Sequence, residues 1–300
     1  MNLVKQCVFS TWYLASLPLR RQAAIMRSRL QTEPVRALFY HRVADKVPNA
    51  WTLSTRAFTQ QIDWLRKRFD VVSLAEARHR IAHGRNHVPT ACITFDDGYA
   101  ENCQFALPLL LRLRLPFTYF VSTRHVLENR PFPHDIQAGH SLEPNSIAQI
   151  RQLAAAGVEI GGHTRNHISL GGPLTREELV DEIVGCKNDL EQIISRHVPY
   201  FAFPYGQPKD LSTEAFRIAY EAGFDGVCSA YGGYNFPGLD PFHIRRFHAD
   251  PQFVRFKNWL TIDPRKLSQH EAFDAGDYRN SSTRSNGQRE TIEPVVIGAD

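Results

Sequence analysis

The sequence predicts an α/β fold with a parallel sheet, and three observations carry that expectation. Short apolar runs alternate with helix-period segments from about residue 35 to residue 250, the pattern of strand–helix–strand units. The most reactive-looking groups, Asp96-Asp97, His163 and Tyr205, each directly follow a predicted strand. Parallel α/β folds place their chemistry at such carboxyl ends. The chain has 300 residues, 43% hydrophobic and 22% charged, enough for one sizeable core.

In chain order, residues 35–41 read as the first strand. Residues 55–69 carry Phe58, Ile62, Leu65 and Phe69 at helical spacing. Val71 and Val72 suggest a short strand, and Ser73 suits an N-cap for a helix over 74–82. Residues 90–95 form a buried strand that ends at Asp96-Asp97. A helix over 100–113 and a strand over 117–121 follow. Residues 124–146 lack a period, contain three prolines and read as a long surface loop. Residues 147–156 are helical up to Gly157, and residues 158–160 form a strand delivering Gly161-Gly162-His163. A long helix over 173–194 opens with Thr175 and Glu178, the spacing of a capping box. Strands over 200–203 and 226–229 flank a helix over 213–222, and residues 244–247 suit a last strand.

The flanks differ in composition. Residues 1–34 form an N-terminal helical segment in which a 12-residue apolar run from Val8 to Leu19 precedes Arg20, Arg21, Arg27 and Arg29. That run is too short to span a bilayer. Two readings stay open: a surface helix on the domain, or an interfacial helix with Trp12, Tyr13 and Leu14 in anionic lipid and the arginines on phosphates. Only Lys5 precedes the run, and no signal-peptide cleavage pattern is evident. A cytoplasmic location, at the inner face of the membrane in the second reading, is the expectation. Residues 35–265 read as one catalytic domain. Residues 266–300, with Ser281, Ser282, Thr283 and Ser285, read as a disordered tail. A net charge of +4 gives no reason to expect a nucleic-acid partner. Five widely spaced cysteines without CxxC argue against a disulfide framework and for a reducing compartment. Oligomeric state is not readable.

Two adjacent carboxylates at the end of an apolar strand repel each other and resist desolvation. Asp96 and Asp97 therefore call for a cation or for chemistry. His163 and His167 lie four apart, which on a helical turn puts both rings on one face. One carboxylate with two imidazoles makes a divalent metal site with open positions, leaving the other carboxylate to act as a base.

Thr94-Phe95-Asp96-Asp97-Gly98-Tyr99, then His163-Thr164-Arg165-Asn166-His167, then Phe203-Pro204-Tyr205-Gly206, resemble in order, identity and spacing the polysaccharide deacetylases, the NodB-homology domains of carbohydrate esterase family 4. The resemblance covers roughly residues 35–250. It implies a distorted (β/α) barrel of about seven strands and a hydrolase that removes N- or O-acetyl groups from a glycan or lipid-linked sugar precursor. It also implies that Asp97, His163 and His167 hold Zn²⁺, or alternatively Co²⁺, Ni²⁺ or Mn²⁺. Water activated at the metal attacks the acetyl group, with Asp96 as base and the backbone N–H at Tyr205 holding the oxyanion.

The chain departs from that pattern in three places. Ala202 stands where the family's base-orienting arginine is expected, and Arg245 and Arg246 are the available substitutes for it, or for substrate binding. Asp225 is not followed by the family's tryptophan. The motif supplying the acid is not clear, and His248 is the nearest residue for that role. Tyr40-His41-Arg42-Val43 resembles the opening of deacetylases found with exopolysaccharide and surface-glycan synthesis, with His41 at the rim of the cleft or simply structural. Two alternatives remain at this stage: a C–N hydrolase of a small cyclic amide or ureide on the same scaffold, and a carbohydrate-binding homologue without catalysis.

Overall fold

The structure is a computed structural model and describes residues 3–267 and 273–279. Seven parallel strands close into a barrel. They are β1 (Val35–Tyr40), β2 (Thr90–Phe95), β3 (Thr118–Val121), β4 (Glu159–Gly162), β5 (Tyr200–Ala202), β6 (Gly226–Ser229) and β7 (His243–His248). Each strand pairs with the next in sequence, and β7 returns to β1. The β1–β2 seam runs six residues, Val35↔Thr90 to Tyr40↔Phe95. The β4–β5 seam is a single pair, Gly162↔Phe201, so the barrel is uneven around its girth. A short strand, Asp70–Val71, adds to the start of β2.

Alternation along the strands divides the core into two layers. Inward positions form one cluster, with Val35 and Ala37 of β1, Cys92 of β2, Phe120 of β3, Tyr200 and Ala202 of β5, Cys228 of β6 and Ile244 of β7. Val72, Leu74, Ala77 and Ile81 join that cluster from the helix Leu74–Ala82 and the residues before it, plugging one end of the barrel. Outward positions such as Leu38, Ile93, Tyr119, Ile160 and Phe201 pack under the surrounding helices in the larger cluster. Gly161 belongs to the inner layer by necessity, because a Cβ there would lie 2.4 Å from the Phe120 ring.

The long helix of the sequence reading opens at Thr175 with the expected capping box. It is interrupted, however, by a π turn over Asp181–Gly185 between Arg176–Val180 and Cys186–Ile194. The expected loop over 124–146 is partly ordered into two short helices, Thr123–Leu127 and Pro133–Gln137. Period-based reading misses helices of five residues because they span little more than one turn.

The N-terminal segment is a 28-residue helix, Leu3–Leu30, that packs on the helix Phe253–Leu260. Trp12 and Tyr13 point inward. Trp12 Nε1 donates to the Asp263 carboxylate at 3.1 Å, and Tyr13 is buried beneath Arg20 and Lys257. Arg20 is itself buried against Thr261 and Asp263. Of the three residues expected to insert into lipid, only Leu14 faces outward. Among the described residues, no helix is long and apolar enough to cross a membrane. At the other end, the sequence closes the domain at residue 265. Yet Phe273 stacks on Phe216, and Tyr278 is buried against Phe242 with its hydroxyl on Asp240. Residues 273–279 therefore belong to the packed body. The remainder of the expected tail, 268–272 and 280–300, lies outside the described residues. All five cysteines are free thiols.

Glu159, at the start of β4, offers a test of the barrel's dry interior. Burial pushes its carboxyl up to about 7, against a hydrogen bond donated by the Thr118 hydroxyl and with Asp225 adding to the rise. A carboxyl whose folded value exceeds its unfolded one makes the protein less stable as pH rises between the two. Glu159→Gln is expected to gain on the wild type by about 3 kcal/mol between pH 4.5 and pH 7 and then hold level. Urea titrations across that window check it, and a pH-independent gap contradicts it.

Candidate active site

The cleft lies at the carboxyl ends of the strands. It encloses about 670 Å³, and its walls include Asp96, Asp97, His163, His167, Tyr205 and His248. Five of these are read from strand-end motifs in the sequence, and the structure brings them together with His248 of β7.

Asp97 follows β2 with φ +75°, a left-handed conformation unusual for a non-glycine residue. It is 2% exposed. Its Oδ1 lies 3.4 Å from His163 Nε2 and 3.1 Å from His167 Nε2, and it accepts no hydrogen bond. His163 Nδ1 is 2.7 Å from the Ala202 carbonyl, an acceptor only, so Nδ1 carries the proton and Nε2 presents a lone pair to Asp97. Three electron-rich atoms within 4.8 Å of one another, one an orphaned buried carboxylate oxygen, make a donor set that fits a divalent cation. Burial would raise the Asp97 carboxyl, but His41, His167 and His163 outweigh it and hold it well below the usual carboxylate range.

The helical-turn spacing expected for His163 and His167 is not how they meet. The segment is a loop in which Thr164 and His167 are both left-handed, at φ +60° and +56°. Side chains pin it instead. Arg165 forks onto Asp189 at 2.8 and 2.9 Å and pairs with Asp181, and the Asn166 backbone N–H donates to Glu182 at 2.9 Å. Asp181 and Glu182 both sit on the π turn, so that irregularity aims two anchors at the ligand loop. Gly185 clears the space, since a Cβ there would meet the Arg165 guanidinium at 2.6 Å. The His167 ring is boxed by Phe132, His134 and Tyr205, with centroids 5.4, 5.9 and 5.1 Å away.

Asp96 has a different partner. Arg246 Nη1 and Nη2 donate to its two carboxylate oxygens at 2.7 and 2.9 Å. Arg246 is fully buried, lies against the Phe39 and Phe120 rings, and also donates to Thr94 Oγ1 and the Ser229 carbonyl. Burial works against its charge, but Asp96 more than compensates, and its pKa is raised. The arginine missing at Ala202 is therefore replaced from β7. Of the two places the sequence leaves open for Arg246, the structure puts it beneath Asp96, as the substitute for the missing arginine, rather than at the cleft surface as a substrate or oxyanion contact. Arg245 does not belong to the site. Neighbouring strand residues face opposite ways, and Arg245 turns outward to the Tyr234 carbonyl and Gly233. Asp225 is remote as well, in a surface ion pair with Arg78 at 3.8 Å.

His248, on the same inward row as Arg246, reaches the cleft wall against Phe39 and Trp51. Burial, with His41 and Arg255 nearby, pushes its imidazole down to about 4 despite the pull of Asp96. At neutral pH it rests uncharged. His41 also lines the cleft, half-buried, with its Nδ1 unpartnered. Tyr205 stands at the rim, 56% exposed and left-handed at φ +59°.

Trp51 and His134 are among the lining residues that escape the sequence reading. Trp51, 45% exposed, packs against His41 with ring centroids 4.8 Å apart and the planes tilted by 40°. It rides a loop tied to buried Arg42, which donates to the Lys46 and Val47 carbonyls and Thr52 Oγ1 and pairs with Glu101. His134 lies on the Pro133–Gln137 helix, its Nε2 3.0 Å from the Tyr99 hydroxyl. The aperiodic stretch that follows Tyr40-His41-Arg42-Val43 is the one signal that points toward Trp51.

Comparisons with known proteins agree with this geometry. Residues 83–227 match the family model described as polysaccharide deacetylase. A Bacillus subtilis (strain 168) protein, YxkH, whose name assigns it provisionally to the polysaccharide deacetylases, is 23% identical over 189 residues. The match takes in 62% of this chain, and the chain spans 61% of that relative's length. Among solved structures, IcaB from Ammonifex degensii has a TM-score of 0.65 at 25% identity, over 77% of this chain and 98% of IcaB. A de-N-acetylase from Aggregatibacter actinomycetemcomitans has a TM-score of 0.62 at 21% identity, over 76% and 100%. The latter likeness speaks to the fold alone.

Proposed function

Since this chain belongs to the polysaccharide deacetylase family, we propose that it hydrolyses N- or O-acetyl groups on a glycan or lipid-linked sugar precursor, in a reaction that depends on a divalent metal. The observation that carries the reading is the split of the aspartate pair. Asp96 is forked by a buried arginine, while Asp97 turns an unpartnered oxygen toward two imidazoles.

Asp97, His163 and His167 are the residues that would hold the ion, and zinc suits the nitrogen and oxygen donors. Such an ion supplies Lewis acidity, polarising an acyl oxygen and easing deprotonation of water. The rest is the chain's own work. Asp96, fixed in rotation by Arg246, accepts the proton of the attacking water. Among the described residues, no acceptor takes the Tyr205 backbone N–H, which leaves it to stabilise the developing oxyanion. His248 rests neutral, so it first gains a proton and then delivers it to the leaving nitrogen or oxygen. The exposed rings of Trp51 and Tyr205 give a sugar two apolar surfaces in the cleft.

Two measurements on the purified chain test this. Metal analysis after zinc loading is expected to find about one ion per chain in the wild type and to lose it in His163→Ala. Acetate release from acetylated N-acetylglucosamine oligomers is expected to follow the metal content. Full metal binding by the double variant His163→Ala/His167→Ala removes the site. Release of ammonia from a cyclic ureide, with no acetate from any acetylated sugar, removes the substrate class.

A further inference from the structure

The N-terminal helix Leu3–Leu30 covers the body with one face only. Val8, Leu14, Leu19, Ile25, Met26 and Leu30 are 52–66% exposed on its outer side. At about 100° per residue, Val8, Leu19, Met26 and Leu30 fall within a stripe about 40° wide. Leu14 and Ile25 form a second stripe, with exposed Thr11, Ala15, Pro18, Gln22 and Arg29 between the two. Six of the fourteen large exposed hydrophobic residues of the described chain thus share one helix, a concentration that marks an interaction face.

The charge around this face has one sign. Residues 1–32 contain no aspartate or glutamate. Arg20 and Arg27 are engaged internally, with Asp263 and Glu33, whereas Arg21 stands exposed at one edge of the apolar arc and Arg29 stands exposed between its two stripes, one residue before the end of the helix. A long helix with two aliphatic stripes on its outer face, arginines beside and between them, and too little apolar length to span a bilayer fits the plane of an anionic lipid surface.

We propose that the outer face of this helix docks the protein on an anionic lipid bilayer, with Leu14, Leu19, Ile25 and Met26 in the headgroup–acyl boundary and Arg21 and Arg29 on lipid phosphates. Trp12 and Tyr13 take no part, being committed to the protein body. The proposal is independent of the reading of the cleft.

Co-sedimentation of the full chain with vesicles tests it. Partition onto phosphatidylglycerol/phosphatidylcholine vesicles is expected to exceed that onto phosphatidylcholine alone by at least about tenfold, each arginine contributing about fivefold. Arg21→Glu/Arg29→Glu is expected to erase that preference, and Leu19→Glu/Met26→Glu to lower partition onto both vesicle types by about tenfold or more. Circular dichroism verifies that the variants fold. A wild-type chain without preference for anionic vesicles overturns the proposal whether or not the variants fold. So does a concentration-dependent dimer that Leu19→Glu/Met26→Glu dissociates, which would assign the face to a second copy of the chain.

Discussion

Replacing Asp96 by asparagine is expected to slow acetate release by about 10²–10⁴-fold, the usual worth of a positioned general base, while zinc content stays at the wild-type level. The substitution keeps shape but removes proton-accepting power together with one acceptor and the counter-charge of buried Arg246, so an unfolding titration accompanies it; Asp96 is not among the three clustered donor groups. The same exchange at Asp97 should cost both metal and turnover, because the orphaned Oδ1 is the atom facing the two imidazoles. Parallel metal analysis and steady-state kinetics separate the pair. A fully active Asp96→Asn ends the assignment of base, and a metal-free one ends the division of roles.

The second large effect concerns Arg246. Arg246→Met leaves Asp96, 3% exposed, without the partner that occupies both its oxygens. Breaking a buried pair from one side costs about 3–5 kcal/mol, and turnover should fall with it because the carboxylate is free to rotate. Arg246→Lys separates the two consequences. It restores a positive charge, and with it much of the stability, but not the planar fork, so kcat should remain low. Unfolding titrations beside kcat and KM read this. Equal turnover in Arg246→Lys and wild type would reduce the arginine to a structural counter-charge.

The sequence was legible where physics acts locally. Thr90–Phe95 and Gly226–Ser229 appear with the expected bounds, and Ser73 caps Leu74–Ala82, because periodicity and capping are properties of short windows. Asp97, His163 and His167 converge because each follows a strand of one parallel barrel. What the window does not contain is the partner across the barrel. Arg245 and Arg246 are equivalent in composition and differ only in strand phase, which the bounds of β7 decide. Trp51 and His134 reach the cleft through Arg42 and Tyr99, contacts spanning up to 59 residues. Phe273 and Tyr278 were assigned to a tail because a polar composition outweighed two aromatic residues.

The position of Arg246 says something about how a site in such a barrel can change. A closed ring of staves surrounds one axis, and a long side chain anchored on any stave can reach the same point on that axis. Here the guanidinium starts from the seventh stave, while Ala202 on the fifth contributes only a carbonyl to His163. The duty of steadying Asp96 is thus attached to a location in the lumen rather than to an address in the chain. A gap in a linear signature is then poor evidence for a lost activity. The informative question is whether any inward residue of the same layer still delivers the missing charge.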